Sequence, residues 1–217
     1  MNATRGFFAS LLTPSDEQAM WRVQTKDDHN AFAQLVARWE LPILRLCARM
    51  IGDETRAEDL KQEVFIRIFA RRRDYRAEHR FGTWIWRIAV NLCYDELRTR
   101  QRRSGVVVLE SHEELASIED ADGPAPDDSA MAQEEAEIVR RALLQLPDES
   151  RSILLLRFGE GLKLREIAEI FELPETTLRH RLADGLAALT RLLEPTFGRP
   201  NTDPASLFHP PRFAQPS

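Results

Sequence analysis

The sequence predicts an all-α protein made of two small helical domains on either side of a flexible acidic connector. Three observations carry that prediction. Apolar residues recur at three- and four-residue intervals through two long stretches, residues 28–103 and 131–194. Each stretch is cut by turn signals: Ile51-Gly52-Asp53 and Asp74 to Arg80 in the first, Leu146-Pro147-Asp148 and Phe158-Gly159-Glu160-Gly161 in the second. Between them, residues 104–130 hold Gly123-Pro124-Ala125-Pro126 and many carboxylates but few large apolar groups, a composition that buries too little surface to offset its ordering entropy.

Residues 1–27 show no sustained periodicity and read as an N-terminal extension, although Phe7, Phe8, Leu11 and Leu12 can form one sticky turn. The first domain, 28–103, then carries two informative helices. In Ala57 to Arg73, the residues Ala57, Leu60, Val64 and Ile68 form a core stripe, and Asp59, Gln62, Glu63 and Ile66 fall on the opposite face. An apolar residue framed by charges on an exposed helix is the pattern of a protein docking site; a solvated face with a single isoleucine is the alternative.

The helix from Phe81 to Arg103 is longer than a small core requires. Trp84, Arg87, Asn91, Asp95, Arg98 and Arg102 share one narrow stripe, and the loop before it supplies Tyr75, Arg76, His79 and Arg80. Aromatic, amide and guanidinium groups stack on unpaired bases, read base edges and neutralise phosphates. Trp84 and Trp86 are better read as packing, since large aromatics at helical spacing usually fill a core. That leaves the loop and the arginine run as the nucleic-acid candidates.

The second domain, 131–194, reads as four helices, the last two forming a helix-turn-helix over residues 162–192. Ile167, Ala168 and Phe171 line one helix, while Leu178, Leu182, Leu186 and Leu189 line the next. Pro174 makes the corner, because the residue before a proline leaves the α region and proline itself fits only a first helical turn. Thr176, His180 and Ala183, flanked by Thr177, Arg179 and Asp184, face away from the leucines, where a recognition helix meets the major groove. A plain αα-hairpin inside a helical protein is the alternative. Residues 195–217 are proline-rich and read as a tail.

Charge and composition narrow the function. The formal net charge of −5 argues against a general DNA-coating protein. Its distribution matters more: basic residues crowd Arg71 to Arg80 and Arg98 to Arg103, and acidic ones Glu110 to Asp128 and Glu134 to Glu137. Cys47 and Cys93 lie among apolar residues without metal-ligand spacing, which predicts buried, reduced thiols and neither metal nor cofactor. His29, His79, His112, His180 and His209 show no converging arrangement of a hydrolase, so no enzyme is expected. No run approaches a membrane span, and Gly6 to Leu12 is too short for a cleaved signal; a cytoplasmic protein without stable membrane insertion is expected.

Three ordered segments together resemble a family. Ala57-Glu58-Asp59-Leu60-Lys61-Gln62-Glu63-Val64-Phe65, then Phe81-Gly82-Thr83-Trp84-Ile85-Trp86-Arg87-Ile88-Ala89-Val90-Asn91, then Leu146-Pro147 to Arg157 with the helix pair, resemble a bacterial extracytoplasmic-function (ECF, group 4) sigma factor of the sigma-70 family. The resemblance covers about residues 28–194 and makes the two domains sigma region 2 and sigma region 4.

The resemblance implies a sigma factor that binds core RNA polymerase, recognises −35 and −10 promoter elements and promotes promoter melting and transcription initiation. A free-standing helix-turn-helix regulator is the alternative. Asp59, Gln62 and Glu63, with Ile66 in the same stripe, would dock on the β′ clamp helices. Asn91 and the loop Tyr75, Arg76, His79 and Arg80 would capture a base flipped from the −10 element, with Arg87, Arg98, Arg100, Arg102 and Arg103 beside it on DNA. Arg157, Lys163, Arg165, Thr176, Thr177, Arg179, His180 and Arg181 would form the −35 surface, whose apolar remainder would rest on the β flap. An anti-sigma factor is the further partner implied. The chain departs from the family at Thr176, often Gly, and at Asp184 and Leu186, often basic; −35 affinity should therefore lean on Arg157, Lys163, Arg165 and Arg179. The acidic linker either threads through polymerase, its carboxylates imitating nucleic acid, or is simply solvated.

Overall fold

Aspartates and a glycine set the helix boundaries in the first half of the chain. Asp28 and Asp53 each accept a hydrogen bond from a backbone N–H three residues on, Ala31 and Arg56, satisfying a donor that the first helical turn leaves orphaned. Between those two helices Gly52 takes φ +71°, a left-handed C-cap that a side chain would strain.

The computed structural model describes residues 14–76, 78, 80–104 and 126–197, and every regular element among them is helical. In chain order these are α1 (Asp16–Lys26), α2 (His29–Ile51), α3 (Glu54–Ala70), a 3₁₀ turn (Arg72–Asp74), α4 (Phe81–Ser104), α5 (Pro126–Leu144), α6 (Asp148–Leu154), a π turn (Leu155–Gly159), α7 (Leu164–Phe171) and α8 (Glu175–Phe197). The first four helices form one domain around Met20, Leu35, Ile43, Leu46, Met50, Ile68, Phe81 and Ile85; the second gathers Ile153, Leu154, Leu156, Ile167, Leu178 and Leu189. The stripe Ala57, Leu60, Val64 and Ile68 is buried as its spacing requires.

Three boundaries differ from the sequence reading. Asp16–Lys26 is not an extension but a helix of the first domain, with Ala19, Met20 and Val23 fully buried. Its stripe is too short for periodicity to reveal, yet its start is a reciprocal capping box between Ser15 and Gln18. Helix α5 begins at Pro126 rather than at residue 131, with proline in the first turn, where its missing N–H costs nothing. Helix α8 runs through Pro195 to Phe197, past the expected end at residue 194. The rest of the expected linker and most of the proline-rich tail lie outside the described residues, as does His79.

The two domains share one continuous core, joined by a buried guanidinium. Arg151, 5% exposed, donates from Nε to the Leu143 carbonyl and from Nη2 to those of Leu144 and Leu146, closing the C-terminal end of α5. Its Nη1 donates to the Met50 carbonyl in the last turn of α2. One cation thus satisfies orphan carbonyls at two helix ends, where the helix dipoles favour positive charge.

Candidate polymerase and promoter interfaces

Helix α3 turns its charged stripe outward. Ile66 is 62% exposed, and Asp59 and Gln62 are exposed beside it, with Glu63 half-buried. Arg56 bonds Asp59 at 3.1 Å and Arg67 bonds Glu63 at 2.9 Å, so the carboxylates are held along the helix while still facing solvent. A shallow groove between α3 and α4 runs past all four residues and reaches Asp95 and Arg103.

The loop between α3 and α4 is braced by α1, a role that sequence reasoning missed. Gln24 Nε2 donates to the carbonyls of Arg73 and Tyr75 at 3.1 and 3.0 Å, and Arg72 Nε bonds Asp27 at 2.8 Å. Glu17 accepts from the Phe81 N–H, capping the start of α4, while Asp16 accepts from Arg38 and Trp39 on α2. Arg76 and Arg80 are left exposed on this braced loop.

Tyr75 is placed differently from the expectation that it faces a base. It is 4% exposed, with its ring 5.2 Å from that of Trp84 and 6.1 Å from that of Phe81. Burial pushes its hydroxyl up to about 12, helped by Glu17 and Asp16. A buried, neutral phenol packed between aromatics belongs to the core, so Tyr75 leaves the set of base-contacting candidates. Trp86 is buried and Trp84 half-buried, in line with their reading as packing.

Along α4, Asn91, Arg98, Arg102 and Arg103 are exposed and Arg87 is half-buried. Arg100 is engaged elsewhere, bonded to Glu96 at 3.1 Å and to Asp53 at 2.8 Å. Arg56 and Arg100 hold the Glu96 carboxyl below the usual carboxylate range. Cys47 and Cys93 are buried and free, their Sγ atoms 3.8 Å apart, and the Cys47 contact together with burial raises the Cys93 thiol well above its ordinary value.

In the second domain the turn between α7 and α8 is made by Glu172, left-handed at φ +55°, with Leu173 and Pro174 following. This sets Thr176, Arg179, His180, Ala183 and Asp184 together on an exposed face of α8, with Thr177 half-buried at its edge. Arg179 bonds Glu175 at 2.9 Å, and exposed Lys163 and Arg165 open α7. Two expected contacts are otherwise engaged. Arg157 donates to the Leu162 carbonyl at 2.9 Å and holds the loop into α7, and Arg181 pairs with Glu149.

The first half of this arrangement, residues 35–103, matches the family model for sigma-70 region 2, and residues 136–189 match that for sigma-70 region 4. The chain is 33% identical over 175 residues to the ECF RNA polymerase sigma factor SigW of Bacillus subtilis, covering 77% of this chain and 91% of that protein. It belongs to the ECF sigma factors. This sigma factor is also 34% identical to the RNA polymerase sigma-H factor of Pseudomonas aeruginosa, over 85% of its own length and 97% of the relative's. Against the ECF sigma-E factor of Escherichia coli K12 the identity is 30%, over the same shares. Among solved structures the fold resembles that of CnrH in complex with the cytosolic domain of CnrY, with a TM-score of 0.63 at 23% identity, covering 84% of this chain and 99% of that one. It also resembles the sigma factor RpoE in complex with the anti-sigma factor NepR from Bartonella quintana, with a TM-score of 0.59 at 21% identity, over 76% and 98%.

Proposed function

We propose that the sigma factor is a promoter-specificity subunit that docks on core RNA polymerase through the outward stripe of α3, places α8 on duplex −35 DNA and traps melted −10 bases on the loop and outer edge of α4. The observation that carries this reading is Ile66, 62% exposed in a row with Asp59, Gln62 and Glu63 and standing on a helix whose other face is fully packed. A large exposed apolar group framed by carboxylates is stabilised by a partner that covers it. The clamp helices of the β′ subunit are that partner, and the rest of region 4 rests on the β flap.

Asn91, Arg76, Arg80, Arg87, Arg98, Arg102 and Arg103 serve the −10 element, with His79 in the same loop. Extruding a base costs a few kcal/mol of stacking, and a pocket that binds it stabilises the opened duplex without ATP. Thr176, Thr177, Arg179 and His180 read the −35 element, while Lys163 and Arg165 neutralise phosphate. The protein acts as an initiation factor in the cytoplasm, has no catalytic chemistry of its own and is restrained by an anti-sigma factor. Asp59→Ala combined with Gln62→Ala should weaken binding to core polymerase by about tenfold or more. Titration of labelled core measures it, and unchanged affinity would remove the docking assignment.

A further inference from the structure

Both ends of the loop that carries Arg76 and Arg80 are tied to α1. Where the chain enters the loop, Gln24 Nε2 donates to the carbonyls of Arg73 and Tyr75 at 3.1 and 3.0 Å. Where the chain leaves it, Glu17 Oε1 accepts the backbone N–H of Phe81 at 3.2 Å, a donor that the first turn of α4 cannot satisfy within its own helix. Glu17 and Gln24 stand two helical turns apart on one face of α1, about 10 Å along its axis. One rigid element thus fixes where the loop begins and where it ends.

Helix α1 is itself firmly seated. Ala19, Met20 and Val23 are fully buried, Asp16 accepts hydrogen bonds from Arg38 and Trp39 on α2, and Arg38 also donates to the Pro14 carbonyl at 2.8 Å. Gln24 and Glu17 are only half-buried, and the groups they hold are backbone, so they constrain the path of the loop rather than its side chains. The further tether from Arg72 to Asp27 ends on a carboxylate that is 56% exposed, and such a pair is weak in water. A pocket that receives an extruded base discriminates through hydrogen bonds to the base edge, which weaken steeply once distance and angle are lost. Residues that fix the loop backbone therefore act on selectivity without contacting the base.

We propose that Gln24 and Glu17 are positioning residues for −10 selection: by holding the two ends of the loop at a set separation along α1, they determine which unpaired base the loop accepts. This rests on the assignment of that loop to the −10 element. Gln24→Glu is nearly isosteric but sets a carboxylate, which donates nothing, against two carbonyl oxygens. Glu17→Leu removes the acceptor for the Phe81 N–H, whereas Glu17→Gln keeps one.

Polymerase holoenzyme assembled with the full chain is presented with a barcoded promoter library randomised through the −10 and −35 elements, and the base preference at each position is read from the transcripts. With Gln24→Glu or Glu17→Leu, discrimination at one −10 position is expected to fall by about tenfold. The −35 preferences, the affinity for core polymerase and the urea midpoint of the free chain stay close to those of the unsubstituted protein, and Glu17→Gln restores the −10 preference. An unchanged −10 preference in either variant would overturn the proposal. A uniform loss across both elements together with a lowered urea midpoint would overturn it as well, since that is the signature of ordinary stabilisation of the fold. Arg76→Ala combined with Arg80→Ala checks the underlying assignment separately. If that variant alters the −10 profile while Gln24→Glu does not, the positioning role alone falls; if it leaves the −10 profile intact, the loop assignment and the proposal fall together.

Discussion

Arg151 shows how much of this molecule depends on one side chain that no surface function would single out. Its guanidinium serves four backbone carbonyls, and burial lowers its pKa from the ordinary arginine value. Arg151→Met should destabilise the chain by about 3 kcal/mol or more, because those carbonyls would stay buried without donors. Urea unfolding monitored by circular dichroism reads the loss, and a midpoint close to that of the unsubstituted protein would contradict it. Gly52 presents a second case. A Cβ there would lie 2.9 Å from Leu144 Cδ1, on a backbone already at φ +71°. Gly52→Ala should cost about 1–2 kcal/mol in the same assay, although the flexible Leu144 can yield some of the space.

At the scale of elements, the roles proposed for the exposed faces of α3 and α8 can be tested separately. Arg179→Ala or His180→Ala should reduce use of a −35 element by roughly tenfold while leaving core affinity unchanged, since neither side chain is buried and Arg179 bonds Glu175 on its own helix. Abortive-initiation assays on promoters with and without that element distinguish the two effects. Both helices were legible in the sequence because long amphipathic stripes and Pro or Gly breaks report local physics directly. Helix α1 was not legible by that signal: three buried residues in eleven make too short a stripe, although Ser15 and Gln18 spelled out its start. Tyr75 was misjudged because a loop aromatic beside arginines has the same composition whether it stacks on a base or on Trp84, and only α1 behind the loop decides. Arg157 and Arg181 were assigned to DNA by their place in a motif, whereas their contacts with the Leu162 carbonyl and Glu149 depend on three-dimensional neighbours. The ion pair between Arg45 and Glu160 joins residues far apart in the chain, and neither side chain carried a local signal for it.

At the scale of the whole molecule, two carboxylates give pH dependences of opposite sign. Burial raises the Glu160 carboxyl, with the Arg45 hydrogen bond opposing, so the folded chain holds that proton more tightly than the unfolded chain. Its contribution to stability is full below the ordinary carboxylate range and declines as pH rises through the raised value. Glu96 is lowered by Arg56 and Arg100; its contribution is present above the ordinary range and is lost as pH falls through the depressed value. Glu160→Gln should therefore flatten the pH dependence of the urea midpoint just above the ordinary carboxylate range without altering the acid side set by Glu96. Beyond such adjustments, the account makes one central claim, that this chain confers promoter choice on polymerase. Mapping the 5′ ends of transcripts made from genomic DNA by purified core RNA polymerase, with and without the chain, tests it most directly. The account predicts a new set of discrete start sites, each preceded by a shared pair of upstream elements; transcripts with unchanged, scattered ends would contradict it.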